Sequence, residues 1–101
     1  MKDITVEELK QKIDNKEDFL LIDVREEWEY SEFNINGKLI PLGTLQGAID
    51  DIDDEWMDKE VVVHCKAGAR SAAAKAFMVQ QGFKNVRNLL GGMLDWQAKF
   101  S

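Results

Sequence analysis

Apolar residues follow two alternating rhythms along this chain: helical spacings of three to four residues in some stretches, short unbroken runs in others. Thr5 followed three residues later by Glu8 forms a capping-box signature, and Val6, Leu9 and Ile13 recur at helical spacing, predicting a helix from Thr5 to about Asn15. The run "FLLIDV", 19–24, lacks the alternation of a half-wetted strand, so it predicts a strand covered on both faces. "REEWEYSEF" reads as a short helix, "KLIPL" as a short strand ended by Pro41, and "TLQGAIDDI" as an amphipathic helix. "EVVVH", 60–64, is the second strong strand. The alanine-rich stretch from Ser71 to Gln81 is expected to be helical, with Gly82 where a left-handed C-terminal cap is favoured. "NVRNL" predicts a further strand, and "GGMLDWQAKF" a last helix whose Met93, Trp96 and Phe100 share one side as core packing.

Strands alternating with helices at this density predict an α/β domain with a mainly parallel central sheet and helices on both faces, since parallel neighbours need crossover connections. A length of 101 residues with no linker or repeat fits one domain, 1–101. Ligands of such sheets lie beyond the carboxyl ends of the strands, which directs attention to Cys65, directly after "EVVVH".

Composition narrows the chemistry. The chain is 45% hydrophobic with three tryptophans, against disorder, and its net charge of -6 opposes binding to phosphate backbones or anionic lipid surfaces. A single cysteine cannot close an intramolecular disulfide, and with a single histidine it makes no zinc-type cluster, so no metal is expected. No apolar run approaches the roughly 20 residues of a spanning helix, and "MKDITVEELKQ" lacks the apolar core of a signal peptide, so a cytoplasmic setting with a reduced thiol is expected. The stretch 50–60 holds seven carboxylates without the ligand spacing or glycine of a calcium loop, and reads as a solvated acidic face, with docking of a basic partner left open.

Cys65, Lys66, Ala67, Gly68, Ala69, Arg70 and Ser71 form a bend between a buried strand and a helix. The small residues let successive backbone N–H groups turn inward as an anion-binding nest, and the helix N-terminus with Lys66 and Arg70 favours Cys65 as thiolate, the nucleophilic form. An isolated cysteine at a strand end is ordinarily inert filling, but filling needs neither the glycine nor the two cations. His64, adjacent in the strand, should turn to the opposite face, which argues against a Cys/His pair and for a structural ring hydrogen-bonded within the sheet layer. Lys66 is expected at the rim, where it can meet an anionic ligand. Arg70 either meets the ligand's anionic end or folds back onto a carboxylate to fix the loop.

The segments "LLIDVREEWEY", "CKAGARSAAA" and "GFKNVRNLLGGMLDW" resemble, in order, the signatures of a single-domain rhodanese, a sulfurtransferase, over about Thr5 to Phe100. The resemblance implies a three-layer rhodanese-like fold. It also implies that Cys65 takes the outer sulfur of thiosulfate or another persulfide, holds it as a cysteine persulfide and yields it to a thiophilic acceptor, a thiol or protein, without metal or organic cofactor. The amides from Lys66 to Ser71 would bind the transferred sulfur. A non-enzymatic sulfur carrier or partner-binding module with the same fold is the alternative. For Asp23 and Arg25 it implies a structural polar network under the loop. Related phosphatases carry Cys-x5-Arg, whereas four residues separate Cys65 from Arg70, a tighter loop suited to one sulfur atom. Phe33 to Lys38 depart from the family pattern, sharing only Ile35 and Gly37 with it, which leaves one pocket wall undefined.

Overall fold

The computed structural model describes residues 2–100; Met1 and Ser101, the ends of the expected domain, lie outside the described residues. Helix α1, Val6–Asp14, begins at Thr5, whose hydroxyl accepts the Glu8 amide while the Glu8 carboxylate accepts the Thr5 amide, the reciprocal cap expected from the sequence. Strand β1 (Leu20–Asp23) leads into α2 (Glu27–Glu32) and the two-residue strand β2 (Lys38–Leu39). Strand β3, Glu60–His64, precedes α4 (Ala69–Gln80), β4 (Asn85–Asn88) and α5 (Gly92–Phe100).

Two segments differ from expectation. The single helix predicted over 44–52 is three short pieces: a 3-10 turn at Leu42–Thr44, α3 at Leu45–Ala48 and a second 3-10 turn at Ile49–Asp51. A third turn, Asp54–Met57, interrupts the acidic face. Gly47 and the clustered aspartates make poor helix interiors, while Leu45, Ile49 and Ile52 still reach the core. Helix α4 starts at Ala69, two residues earlier than predicted, so Arg70 and Ser71 belong to its first turn.

The strands form one sheet in the order β2-β1-β3-β4, every pairing parallel, with β1 and β3 at its centre. Two apolar layers cover it. Ile22, Val61, Val63 and Cys65 pack with Leu45, Ile49, Ala74 and Met78 from α3 and α4. Val62 packs with Val6, Leu9, Met93 and Trp96 from α1 and α5. Period-2 alternation along β3 thus assigns Val61, Val63 and Cys65 to one layer and Val62 and His64 to the other. This is the expected three-layer α/β architecture, and both central strands deliver their carboxyl ends, Asp23 and His64, side by side. Among the described residues no helix is long and apolar enough to cross a membrane.

Candidate active site

Cys65 follows the last residue of β3 and retains 1% of its accessible surface, at the floor of a loop whose Lys66, Ala67 and Ala69 are exposed. Burial alone would suit an inert thiol. The surroundings of the sulfur are polar, however: the Gly68 amide donates to Sγ at 3.1 Å, the Ser71 amide at 3.4 Å, and the Ser71 hydroxyl lies 3.3 Å away. Burial pushes the thiol's pKa up, and the Ser71 hydroxyl with the amides of Ser71, Gly68 and Ala67 outweighs it, so the net shift is downward.

The loop's inward amides are set from behind. The Met93 amide donates to the Cys65 carbonyl at 2.9 Å and the Leu94 amide to the Lys66 carbonyl at 3.0 Å. In a planar trans peptide the C=O and N–H point opposite ways, so drawing these carbonyls toward α5 turns the Lys66 and Ala67 amides toward the loop's interior. The contact requires Gly92: a Cβ there would lie 2.5 Å from both carbonyl oxygens, and its φ is +55°. Gly68, at φ +119°, makes the turn into α4 that aims its own amide at Sγ.

Ser71 is held by a residue that sequence reasoning passed over. Its hydroxyl donates to Asn88 Oδ1 at 2.5 Å, and the Asn88 amide nitrogen donates to the Gly68 carbonyl at 3.3 Å. Since that carbonyl only accepts, it fixes the Asn88 amide with its oxygen toward Ser71. Cys65 as thiol can then donate to Ser71 Oγ. As thiolate it can instead accept a hydrogen bond from the Ser71 hydroxyl, whose one hydrogen then turns from Asn88 to the sulfur.

Of the two roles left open for Arg70, the geometry contains the fold-back: its guanidinium donates to both oxygens of Glu29 at 2.7 and 2.9 Å. Glu29 on α2 lies within the signature segment 20–30, but nothing there points to Arg70, 41 residues away. Arg25 donates through Nε and Nη2 to Asp23 and through Nη2 to the Phe33 carbonyl at 2.7 Å, a buried polar network at the end of β1 as expected. Lys66 lies at the rim and makes no ion pair among the described residues. It borders a cleft of about 230 Å³ shared with Trp28, Glu32, Phe33, Met93 and Leu94. Phe33, from the divergent segment, is therefore part of one cleft wall.

His64 faces the layer opposite Cys65, near Leu21 and Gly37. The hydrogen bond expected for its ring is not found: neither ring nitrogen has a partner among the described residues, and Nε2 stands 3.9 Å from Asp23 Oδ2. Asp23 is already engaged by Arg25, which leaves the imidazole packed as an apolar ring. Burial lowers its pKa to about 4 despite the opposing pull of Asp23.

The family model of the rhodanese-like domain matches residues 5–99. A sulfurtransferase of Allochromatium vinosum is 36% identical over 95 residues, covering 93% of this chain and 86% of that one. YrkF of Bacillus subtilis, named provisionally as a sulfur carrier protein, is 38% identical over 98 residues, and the match spans 96% of this chain but only 51% of YrkF. Among solved structures, a rhodanese-related protein from Thermoplasma volcanium superposes with a TM-score of 0.85 at 30% identity, covering 99% of this chain and 94% of that one.

Proposed function

The chain belongs to the rhodanese-like domain family, and from that premise we propose that it is a sulfurtransferase carrying a sulfane sulfur as a persulfide on Cys65. The convergence of the Gly68 amide, the Ser71 amide and the Ser71 hydroxyl on Sγ carries this reading. In the first step the Cys65 thiolate attacks the outer sulfur of a donor such as thiosulfate: the new S–S bond forms as the donor's breaks, and sulfite leaves with the electron pair. In the second, a nucleophile such as cyanide or a thiolate takes the terminal sulfur and restores the thiolate. The amides from Lys66 to Ser71, with Ala69 and Arg70 contributing from the first turn of α4, receive the charge of the terminal sulfur, work that preorganised donors perform without reorganising.

The domain lies in 1–101, the cysteine is the catalytic residue, and a cytoplasmic setting keeps it reduced. Steady-state turnover of donor and cyanide to thiocyanate tests the reading: a ping-pong pattern that disappears in Cys65→Ser supports it, and turnover retained in that variant overturns it. The likeness to YrkF favours a second reading, a carrier that loads once and discharges only to a partner. Such a carrier would show a single stoichiometric transfer and no sustained thiocyanate formation.

A further inference from the structure

The charges around the cleft beside Lys66 bear on which sulfur donor can approach. Two arginines lie near the loop, and both are committed internally: Arg25 to Asp23 and Arg70 to Glu29. Lys66 is then the cation left at the cleft, and it faces an acidic, aromatic wall. Trp28 on α2 is 65% exposed, and Glu26, Glu27 and Glu32 surround it. These three carboxylates form no ion pair among the described residues. Trp28 and Glu32 also line the cleft with Lys66 and the exposed Leu94. Lys66 balances Glu32 in the cleft, and Glu26 and Glu27 on the adjoining surface around Trp28 leave the approach net negative on a chain of net charge -6, which repels a dianion. An exposed indole beside carboxylates attracts a lysine or arginine side chain through its ring face and the adjacent charges, while Leu94 and Phe33 offer apolar contact.

Resting on the reading of Cys65 as the persulfide carrier, we propose that the donor this cleft selects is a persulfide on a polypeptide segment with basic and apolar residues beside its cysteine, and that thiosulfate is a poor donor. The Cys65 thiolate attacks the terminal sulfur of R–S–SH. The new S–S bond forms as the donor's S–S bond breaks, the donor leaves as R–S⁻, and the proton of the transferred sulfur passes to that leaving thiolate. No external oxidant or reductant takes part.

The experiment follows sulfur arrival on Cys65 by intact mass with three donors: thiosulfate, a synthetic peptide persulfide flanked by lysine and leucine, and the same peptide with glutamate in place of lysine. Each is run from low to high sodium chloride. Loading from the basic peptide is expected to exceed that from the acidic one about tenfold at low salt and to fall as salt rises, while thiosulfate loading rises. The Glu27→Gln/Glu32→Gln variant should narrow the gap between the peptides, and Trp28→Ala should slow the basic peptide alone. Equal loading from both peptides, or thiosulfate loading that falls with salt, overturns the inference while leaving sulfur transfer intact. Absence of sulfur on Cys65 with every donor defeats the underlying functional reading, and this inference with it.

Discussion

Arg70 and Glu29, 41 residues apart, close a two-pronged ion pair that ties the first turn of α4 to α2. Arg70 holds the Glu29 carboxyl at about 2, below its ordinary 4.5. A carboxylate depressed on folding contributes stability that is complete above 4.5 and is lost as pH falls toward 2. Glu29→Gln is expected to cost about 1 kcal/mol, held down because a third of the Arg70 side chain meets water. It should also slow sulfur loading roughly tenfold through a loosened loop. Urea unfolding at neutral pH and at pH 3, beside loading rates, checks both: the deficit of the variant should shrink at the lower pH.

Ser71 offers the more direct handle on the thiol. Its hydroxyl and amide help hold the Cys65 pKa below its ordinary value against burial. Ser71→Ala removes the hydroxyl, and one hydrogen bond to a charged sulfur is worth about 1.5–3 kcal/mol. The pH midpoint of iodoacetamide alkylation should therefore move up. A midpoint unchanged from wild type would mean that the hydroxyl serves Asn88 alone.

Gly92→Ala tests the support behind the loop. The added methyl would meet the Cys65 and Lys66 carbonyl oxygens at 2.5 Å, and those are backbone atoms that cannot step aside cheaply. A stability loss of about 2 kcal/mol or more is expected, from overpacking and from the positive φ together. Thermal unfolding measures the first effect, and alkylation of Cys65 at fixed pH reports whether the loop amides have turned away.

His64 is predicted to make the fold acid-sensitive. Its pKa is about 4 when folded against an ordinary 6.5, so the unfolded chain binds the proton first as pH falls. Stability is full above about 6.5 and declines by about 3 kcal/mol on the way to 4. His64→Leu keeps the volume and deletes two unpartnered nitrogens. Equilibrium unfolding across that window should show the slope flattened in the variant, with no loss of stability at neutral pH.

Much of this was readable along the chain because local rules decide it. The Thr5/Glu8 cap, the apolar runs of β1 and β3, and the small residues from Ala67 to Ala69 each carry their structural meaning within a few positions. What escaped is what the topology assembles. Glu29, Asn88 and Gly92 reach the loop from α2, β4 and α5; each sits inside a segment that carries the family resemblance, but nothing local ties it to Cys65 before the sheet is built. The broken helix over 44–52 escaped for another reason: its apolar spacing is helical, but its glycine and aspartates favour turns, and packing is satisfied by short pieces.

The account stands on Cys65 holding sulfur, and intact mass spectrometry reads that atom directly. After incubation with excess sulfane-sulfur donor and removal of the donor, wild type should gain the mass of one sulfur atom, lose it again on adding cyanide, and Cys65→Ser should gain none. A wild-type protein that gains nothing, or a Cys65→Ser variant that gains the same mass, would contradict it.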